Sequence, residues 1–414
     1  MSLYLGEEKQ PSQQSLRALD YLNFFLANVQ AGVGPFLATY LMASHHWNPA
    51  DIGVAMSVMG IATLLAQTPC GALVDFVKEK RRLIVIAATA MGLSCTAITL
   101  FPNSFINIAQ GINGVAAAIF PPAIAAITLG MVGQKWLAVR TGRNMVFNHA
   151  GKVAAAALTG IAGHFWGHEW FFYLVAISGG AGIVATLLIR KDDIDYLQAR
   201  AVAPIKTPDK VIASSIRALL TDRHILVFAA IVTLFHFANA AMLPLAGQLV
   251  TQSDKTFASL GMAACVIAAQ MVMIPVAALS GKSANSWGRK RLFLIGLTAL
   301  TIRGLLYTLS DNPFFIVFVQ FFDGIGQGIF GVVSVLVVAD LTQGTGRYNL
   351  VLGGIGTAKS IGAALSNLVA GYIVHAWGFN TGFLVLSSIA ASGFVVYYWF
   401  LPETKSFSDC PSPS

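Results

Sequence analysis

Six residues stand where charge is expensive. Lys152, Lys359, Asp323, Arg303, His149 and His236 all lie inside long apolar runs of a 414-residue chain. An ionisable group at the centre of a membrane-inserted helix costs about 2.5–3.5 kcal/mol, so each marks a candidate site for an ion, a proton or a solute. Two lysines directed at one cavity would draw in an anion. The plainer alternative is that each pairs with an acid or reaches along its stem to the interface. Asp323, beside Gly324, Gly326 and Gly328, is the only acid deep in an apolar run. It is a candidate proton carrier, with an ion pair to Arg303 or Lys359 as the alternative. His149 and His236 belong to the residue type that titrates near neutral pH and are candidate proton relays, or else hydrogen-bonded packing groups. Amides supply the rest: Asn28, Gln110, Asn239 and Gln320 are candidate solute contacts, and other buried amides serve as glue between helices.

The surroundings of these groups follow from composition. The chain is 56% hydrophobic and 11% charged, against about 25% charged in a soluble protein. Such a chain cannot cover a globular surface with polar groups, so lipid must be its outer solvent. The net charge of +8 does not point to nucleic acid. Lysines and arginines fall in alternate gaps between apolar runs, not in basic patches interleaved with aromatics. Cys70, Cys95, Cys265 and Cys410 are scattered without the spacing of a zinc site or a disulfide framework, so no metal or cofactor is expected. The first apolar run follows a polar start that carries acids and has no small-residue cleavage site, so it is read as a retained helix.

Runs of about 20 apolar residues can span a bilayer. Twelve are expected, over 17–43, 51–77, 83–101, 105–131, 144–166, 170–190, 224–250, 258–280, 291–309, 313–341, 349–373 and 379–401. Breaks fall at turn residues: Asn48-Pro49, Pro102-Asn103, Asp311-Asn312-Pro313, and Gly378 with Asn380. The gaps after segments 2, 4, 6, 8 and 10 hold the loop lysines and arginines, and the opposite gaps hold only Lys255. Basic loops stay inside, so both termini are expected in the cytoplasm and the membrane is the cytoplasmic (inner) one. The all-α chain then divides into a tail (1–16), a six-helix bundle (17–190), a cytoplasmic linker (191–223) with a short surface helix over Val211–Leu220, a second bundle (224–401) and a tail (402–414).

The two bundles repeat. Ala27-Asn28 matches Ala238-Asn239. At an offset of 210, Gln110, Gly114 and Ile119-Phe120 match Gln320, Gly324 and Ile329-Phe330. A parallel repeat of this kind places a cavity between pseudo-symmetric halves. Hinges are expected at Gly34-Pro35, Pro121-Pro122, Pro244 and Gly328, because proline removes a helical hydrogen bond and glycine permits close crossing and local motion.

The basic gap after segment 2 reads Gly71, Asp75, Lys80, Arg81, Arg82. Its copy reads Gly281, Asn285, Gly288, Arg289, Lys290. With the twelve segments and the half-repeat, these loops resemble the cytoplasmic signature of the major facilitator superfamily, G-x-x-x-D-R/K-x-G-x-R/K. Phe76 and Lys78 depart from it in the first copy, and Asn285 replaces the acid in the second. The resemblance implies two six-helix bundles rocking about a central solute site. It also implies that Asp75 with Lys80 and Arg81 or Arg82 locks the inner side in the outward-open state. The proline-containing signature of the family's drug antiporters is missing from segment 5, which reads NMVFNHAGKVAAAALTGIAG. The expectation is a secondary transporter, not an enzyme, working as a single chain without a cofactor. Its partners are a small organic solute of anionic or zwitterionic amphiphilic character, protons and the bilayer. Export is preferred over uptake because the expected cavity helices are apolar and rich in small residues. Uptake by a symporter or uniporter is the alternative, and a membrane sensor or intramembrane enzyme is a remote one.

Overall fold

The computed structural model describes residues 11–101, 103–196, 222–343 and 348–405. The surface-helix expectation over Val211–Leu220 therefore lies outside the described residues. Every regular element among them is helical: α1 (Gln13–Val33), α2 (Pro35–His45), α3 (Pro49–Phe76), α4 (Lys80–Leu100), α5 (Ile106–Trp166), α6 (Trp170–Leu188), α7 (Arg223–Ala240), α8 (Met242–Ser253), α9 (Ala258–Trp287), α10 (Arg289–Leu306), α11 (Pro313–Leu341) and α12 (Tyr348–Phe400). Among the described residues, nine helical spans are long and apolar enough to cross a membrane.

Breaks and fusions account for how these helices map onto the expected segments. The first segment is α1 plus α2, parted at Gly34, and Pro35 opens α2, where its missing N–H costs nothing. The seventh is α7 plus α8, parted at Ala241. There the Ser366 hydroxyl takes up both loose backbone groups, accepting from the Ala241 N–H at 3.0 Å and donating to the Phe237 carbonyl at 2.5 Å. Pro244 sits in the first turn of α8. The loop expected after segment 4 is not a loop. The chain turns at Gly133 (φ 67) and is helical on both sides, so α5 contains segments 4 and 5. Gly378 (φ 82) does the same inside α12, at the break expected there. Pro121 and Pro122 lie within α5. At Gly328 α11 runs unbroken. Cβ atoms added at Gly324 and Gly328 would lie 2.6 Å from the Ala269 carbonyl and 2.9 Å from that of Met273. These glycines admit α9, and a side chain there would hold it off.

The chain forms two compact units. The first contains the described residues of Met1–Val33, Leu65–Ala155 and Phe172–Ile205. Its core includes Leu19, Leu22, Leu26, Met91 and Phe120, with α4 and α6 in contact where Gly92 faces Ala176. The second contains the described residues of Gly34–Leu64, Ala156–Phe171 and Lys206–Ser414. Its centre is aromatic: Phe235 and Phe330 stack at 4.6 Å between ring centroids, and Phe293 stacks on Tyr397 at 4.8 Å. Within this second unit α3 crosses α12 on backbone contact. A Cβ on Gly53 would lie 2.5 Å from the Asn367 carbonyl, and one on Gly371 would lie 2.6 Å from that of Pro49.

Candidate functional site

Arg303 is the most constrained charge in the second unit. Its side chain is fully buried on α10, where a bare guanidinium would be untenable. Four side chains answer it. Nη1 donates to Asp323 and to Asn239, both at 2.8 Å. Nη2 donates to Gln320 at 2.9 Å, and Nε to the Tyr307 hydroxyl at 3.3 Å. Gln320 in turn donates to Tyr307 at 2.5 Å. Four of the residues singled out in the sequence, Asn239, Arg303, Gln320 and Asp323, are thus drawn from α7, α10 and α11 into one network. Asp323 forms an ion pair with Arg303. Sequence reasoning missed Tyr307. It caps α10 four residues after Arg303, and that spacing was the available signal.

Lys359 and His236 stand apart from that network. Gly362 of α12 meets the α7 backbone at Thr233 and Phe237, and the Thr233 hydroxyl donates to the Ala358 carbonyl at 3.2 Å. His236 and Lys359 flank this crossing, and the Lys359 charge acts on the imidazole. His236 is buried, edge-on to Phe330 at 4.6 Å, and its Nε2 has no hydrogen-bond partner among the described residues. Lys359 is exposed and joins no ion pair among the described residues. At 100° per residue it lies about 160° round the helix from Ile361, about 120° from Leu365 and about 80° from Val369, three of the exposed apolar residues of its helix.

The first unit uses its polar groups differently. Asn28 donates to the carbonyl of Phe24 on its own helix at 3.0 Å. Gln110 accepts from Asn113 at 3.1 Å, and Asn113 accepts from Ser94 at 2.5 Å. His149 and Lys152 are partly exposed and each has an interaction of its own. The strongest cluster here escaped the sequence reading. Asp20 of α1 pairs with Arg140 at 2.6 Å and Arg143 at 2.7 Å, and Arg140 also donates to Asn144 at 3.0 Å. The partners are more than a hundred residues apart, so no local pattern joins them.

The two basic loops act as helix clamps. Lys80 is buried and its ammonium reaches the carbonyl of Val74 at 2.5 Å, at the end of α3. Arg81 holds the carbonyls of Thr186 and Leu187, at 3.1 and 2.9 Å, at the end of α6. Arg82 pairs with Glu79 and is largely exposed. In the second copy Arg289 reaches the carbonyl of Ala284 at 2.6 Å, and Lys290 reaches that of Tyr398 at 2.7 Å, near the end of α12. Arg289 also pairs with Asp340 at 3.1 Å, and Glu403 accepts from the Arg289 and Lys290 amides at 2.8 and 3.0 Å. Cationic groups on helix C-terminal carbonyls satisfy groups that otherwise lack partners. Among the described residues nothing lies within 4 Å of a Cβ placed on Gly71, and one on Gly281 meets only Val332, at 3.9 Å. Gly288 takes the positive φ of 86 that turns the chain between α9 and α10. The side chains of Asp75 and Asn285 lie outside the described residues.

Comparison with known proteins agrees with this architecture. The family model described as Major Facilitator Superfamily matches residues 19–286 and 279–414. An uncharacterized MFS-type transporter of Mycobacterium tuberculosis (strain H37Rv) is 46% identical over 389 residues, covering 94% of this chain and 93% of its own. A triacylglyceride transporter of Mycolicibacterium smegmatis is 29% identical over 134 residues, 32% of this chain and 23% of that protein. Among solved structures, the nucleoside transporter NupG superposes with a TM-score of 0.78 over 94% of this chain and 100% of its own, at 14% identity, a likeness of fold alone. With its family model matched along nearly its whole length, the chain belongs to the major facilitator superfamily and is a multi-pass membrane transporter, not an enzyme.

Proposed function

We propose that this transporter moves a small amphiphile bearing an anionic group, as an anion or a zwitterion. Lys359 carries this reading. It is an exposed mid-helix cation without an acidic partner among the described residues. An uncompensated ammonium at such depth is stabilised by an anionic cargo. Across the same helix crossing His236, whose Nε2 has no partner among the described residues, stands edge-on to Phe330, offering a polar contact and an apolar wall. The partial relative named for a triacylglyceride is in keeping with an apolar body on that cargo. Transport proceeds by alternating access, with export as the favoured direction. Protons drive it through Asp323, since a proton on that carboxylate cancels the charge that holds Arg303. The orientation is that of the basic loops inside and both termini in the cytoplasm of the inner membrane.

The test compares straight-chain carboxylates with the matching alcohols. Ligand stabilisation of the purified protein should favour the carboxylates, and Lys359→Met should erase the preference. In proteoliposomes with an imposed pH gradient, Asp323→Asn should still bind carboxylates but lose the gradient response. An unchanged carboxylate preference in Lys359→Met rules out the anion reading, and a retained gradient response in Asp323→Asn rules out that carrier.

A further inference from the structure

The first unit holds a cavity of about 320 Å³ beside the first signature loop, lined among others by Glu79, Arg81, Arg82, Ile86, Leu187 and Lys191. We propose that it binds the phosphate headgroup of an anionic membrane phospholipid, whose acyl chains lie along the seam between α4 and α6.

Charge argues for the headgroup. Three cations line the cavity against one carboxylate. Arg81 is committed to the carbonyls at the end of α6 and forms part of the wall. Glu79 pairs with Arg82 and, at 3.2 Å, with Lys191. One carboxylate cannot use the five donors of a guanidinium and the three of an ammonium. The two side chains remain 72% and 59% exposed, with donors turned to whatever enters. A phosphodiester supplies the acceptors and the negative charge they lack.

Shape argues for a lipid and against a soluble anion. Ile86, Leu93 and Leu100 are exposed on α4 at seven-residue spacing, and Ile177, Val184 and Leu187 are exposed on the neighbouring α6. The two helices are in register, with Arg81 on Leu187 at one end and the Thr99 hydroxyl 3.3 Å from that of Tyr173 at the other. An apolar track thus leaves the basic cavity and follows the length of α4, about 30 Å, the thickness of the hydrocarbon layer. Basic pockets at the cytoplasmic ends of membrane helices are suited to anionic headgroups, and the basic loops place this one on that side.

The test uses the full chain in micelles doped equally with phosphatidylglycerol and phosphatidylcholine, with retained lipid counted by native mass spectrometry. The wild type should retain phosphatidylglycerol selectively. Arg82→Gln with Lys191→Gln should lower that selectivity by about five-fold per charge removed. Glu79→Gln should raise it, a change of opposite sign that a misfolded variant cannot imitate. Millimolar glycerol 3-phosphate should leave the retained lipid in place. Equal retention of both lipids, indifference to both sets of substitutions, or displacement by glycerol 3-phosphate each overturns the proposal, the last pointing to a soluble phosphate ligand.

Discussion

Arg303 shows how one residue decides the fate of its neighbours. Its guanidinium has no route to water, and Asp323, Asn239, Gln320 and Tyr307 supply acceptors from three helices. Removing one member of a buried pair is costly because the survivor stays buried, by about 3–5 kcal/mol, while exchanging both for apolar groups of similar size is often neutral. Asp323→Leu alone should therefore lower the unfolding midpoint in micelles sharply, and Arg303→Met with Asp323→Leu should recover much of the loss. A double variant no more stable than the single one would show that the amide and hydroxyl partners, not the charges, hold the site. The members of this network, Tyr307 excepted, were legible in the sequence. Asp323 and Arg303 announce themselves as charges in apolar runs, and Asn239 and Gln320 as members of the repeat. The pairing between Asp20 and the two arginines was not legible, because α1 and the far side of α5 are joined only by folding.

Elements are governed here by where backbone can approach backbone and where a helix end finds a partner. Gly53 and Gly371 let α3 and α12 cross with main chains in contact. Valine at Gly53 forces that crossing apart, and overpacking of about 1–3 kcal/mol corresponds to about 5–150-fold in the population of the separated state. A cysteine placed at Asn367 should then react faster with a membrane-impermeant maleimide than in the Gly53 parent. Unchanged labelling would mean that the crossing yields elsewhere. Asp193 closes another end. It accepts hydrogen bonds from the Ser12 amide at 3.2 Å and the Ser15 hydroxyl at 2.7 Å, and from the Ser12 hydroxyl, tying the start of α1 to the end of α6. Burial acts to raise its carboxyl, but these hydrogen bonds and the charge of Arg190 outweigh it and hold it below the usual carboxylate range. A carboxylate depressed in the folded state stabilises above its unfolded value, near 3.9, and loses that contribution as pH falls through the folded one. Asp193→Asn should therefore lower the thermal midpoint at pH 7, and the gap from wild type should close below about pH 4. A gap that persists in acid would assign the loss to geometry instead of charge. The apolar runs and turn residues gave these helices away in advance. The helical stretch after Gly133 did not, because its Arg140 and Arg143 read as a loop until Asp20 is brought against them.

At the scale of the whole molecule, the two signature loops do equivalent work inside separate units. Lys80 and Arg81 clamp the ends of α3 and α6, and Arg289 and Lys290 clamp the ends of α9 and α12. The functional correspondence is shifted by one residue from the 210-residue repeat, because Arg289 does for Ala284 what Lys80 does for Val74. The family resemblance implies a further role, a lock on the transport cycle, and the two roles make different predictions. Clamps that act within their own units should be energetically independent, so the destabilisations of Lys80→Ala and Arg289→Ala should add within about 0.5 kcal/mol. A lock that draws on both copies should instead show coupling well beyond that margin in a double-mutant cycle. The copies also differ in what they have kept: the first has the acid Asp75, and the second has Asn285 and the turn glycine Gly288. If the lock depends on a carboxylate, Asp75→Asn should slow transport far more than Asn285→Ala while leaving the unfolding midpoint nearly in place. Equal tolerance at the two positions, together with additive stabilities, would reduce both loops to clamps and topological signals and leave gating to the rest of the fold.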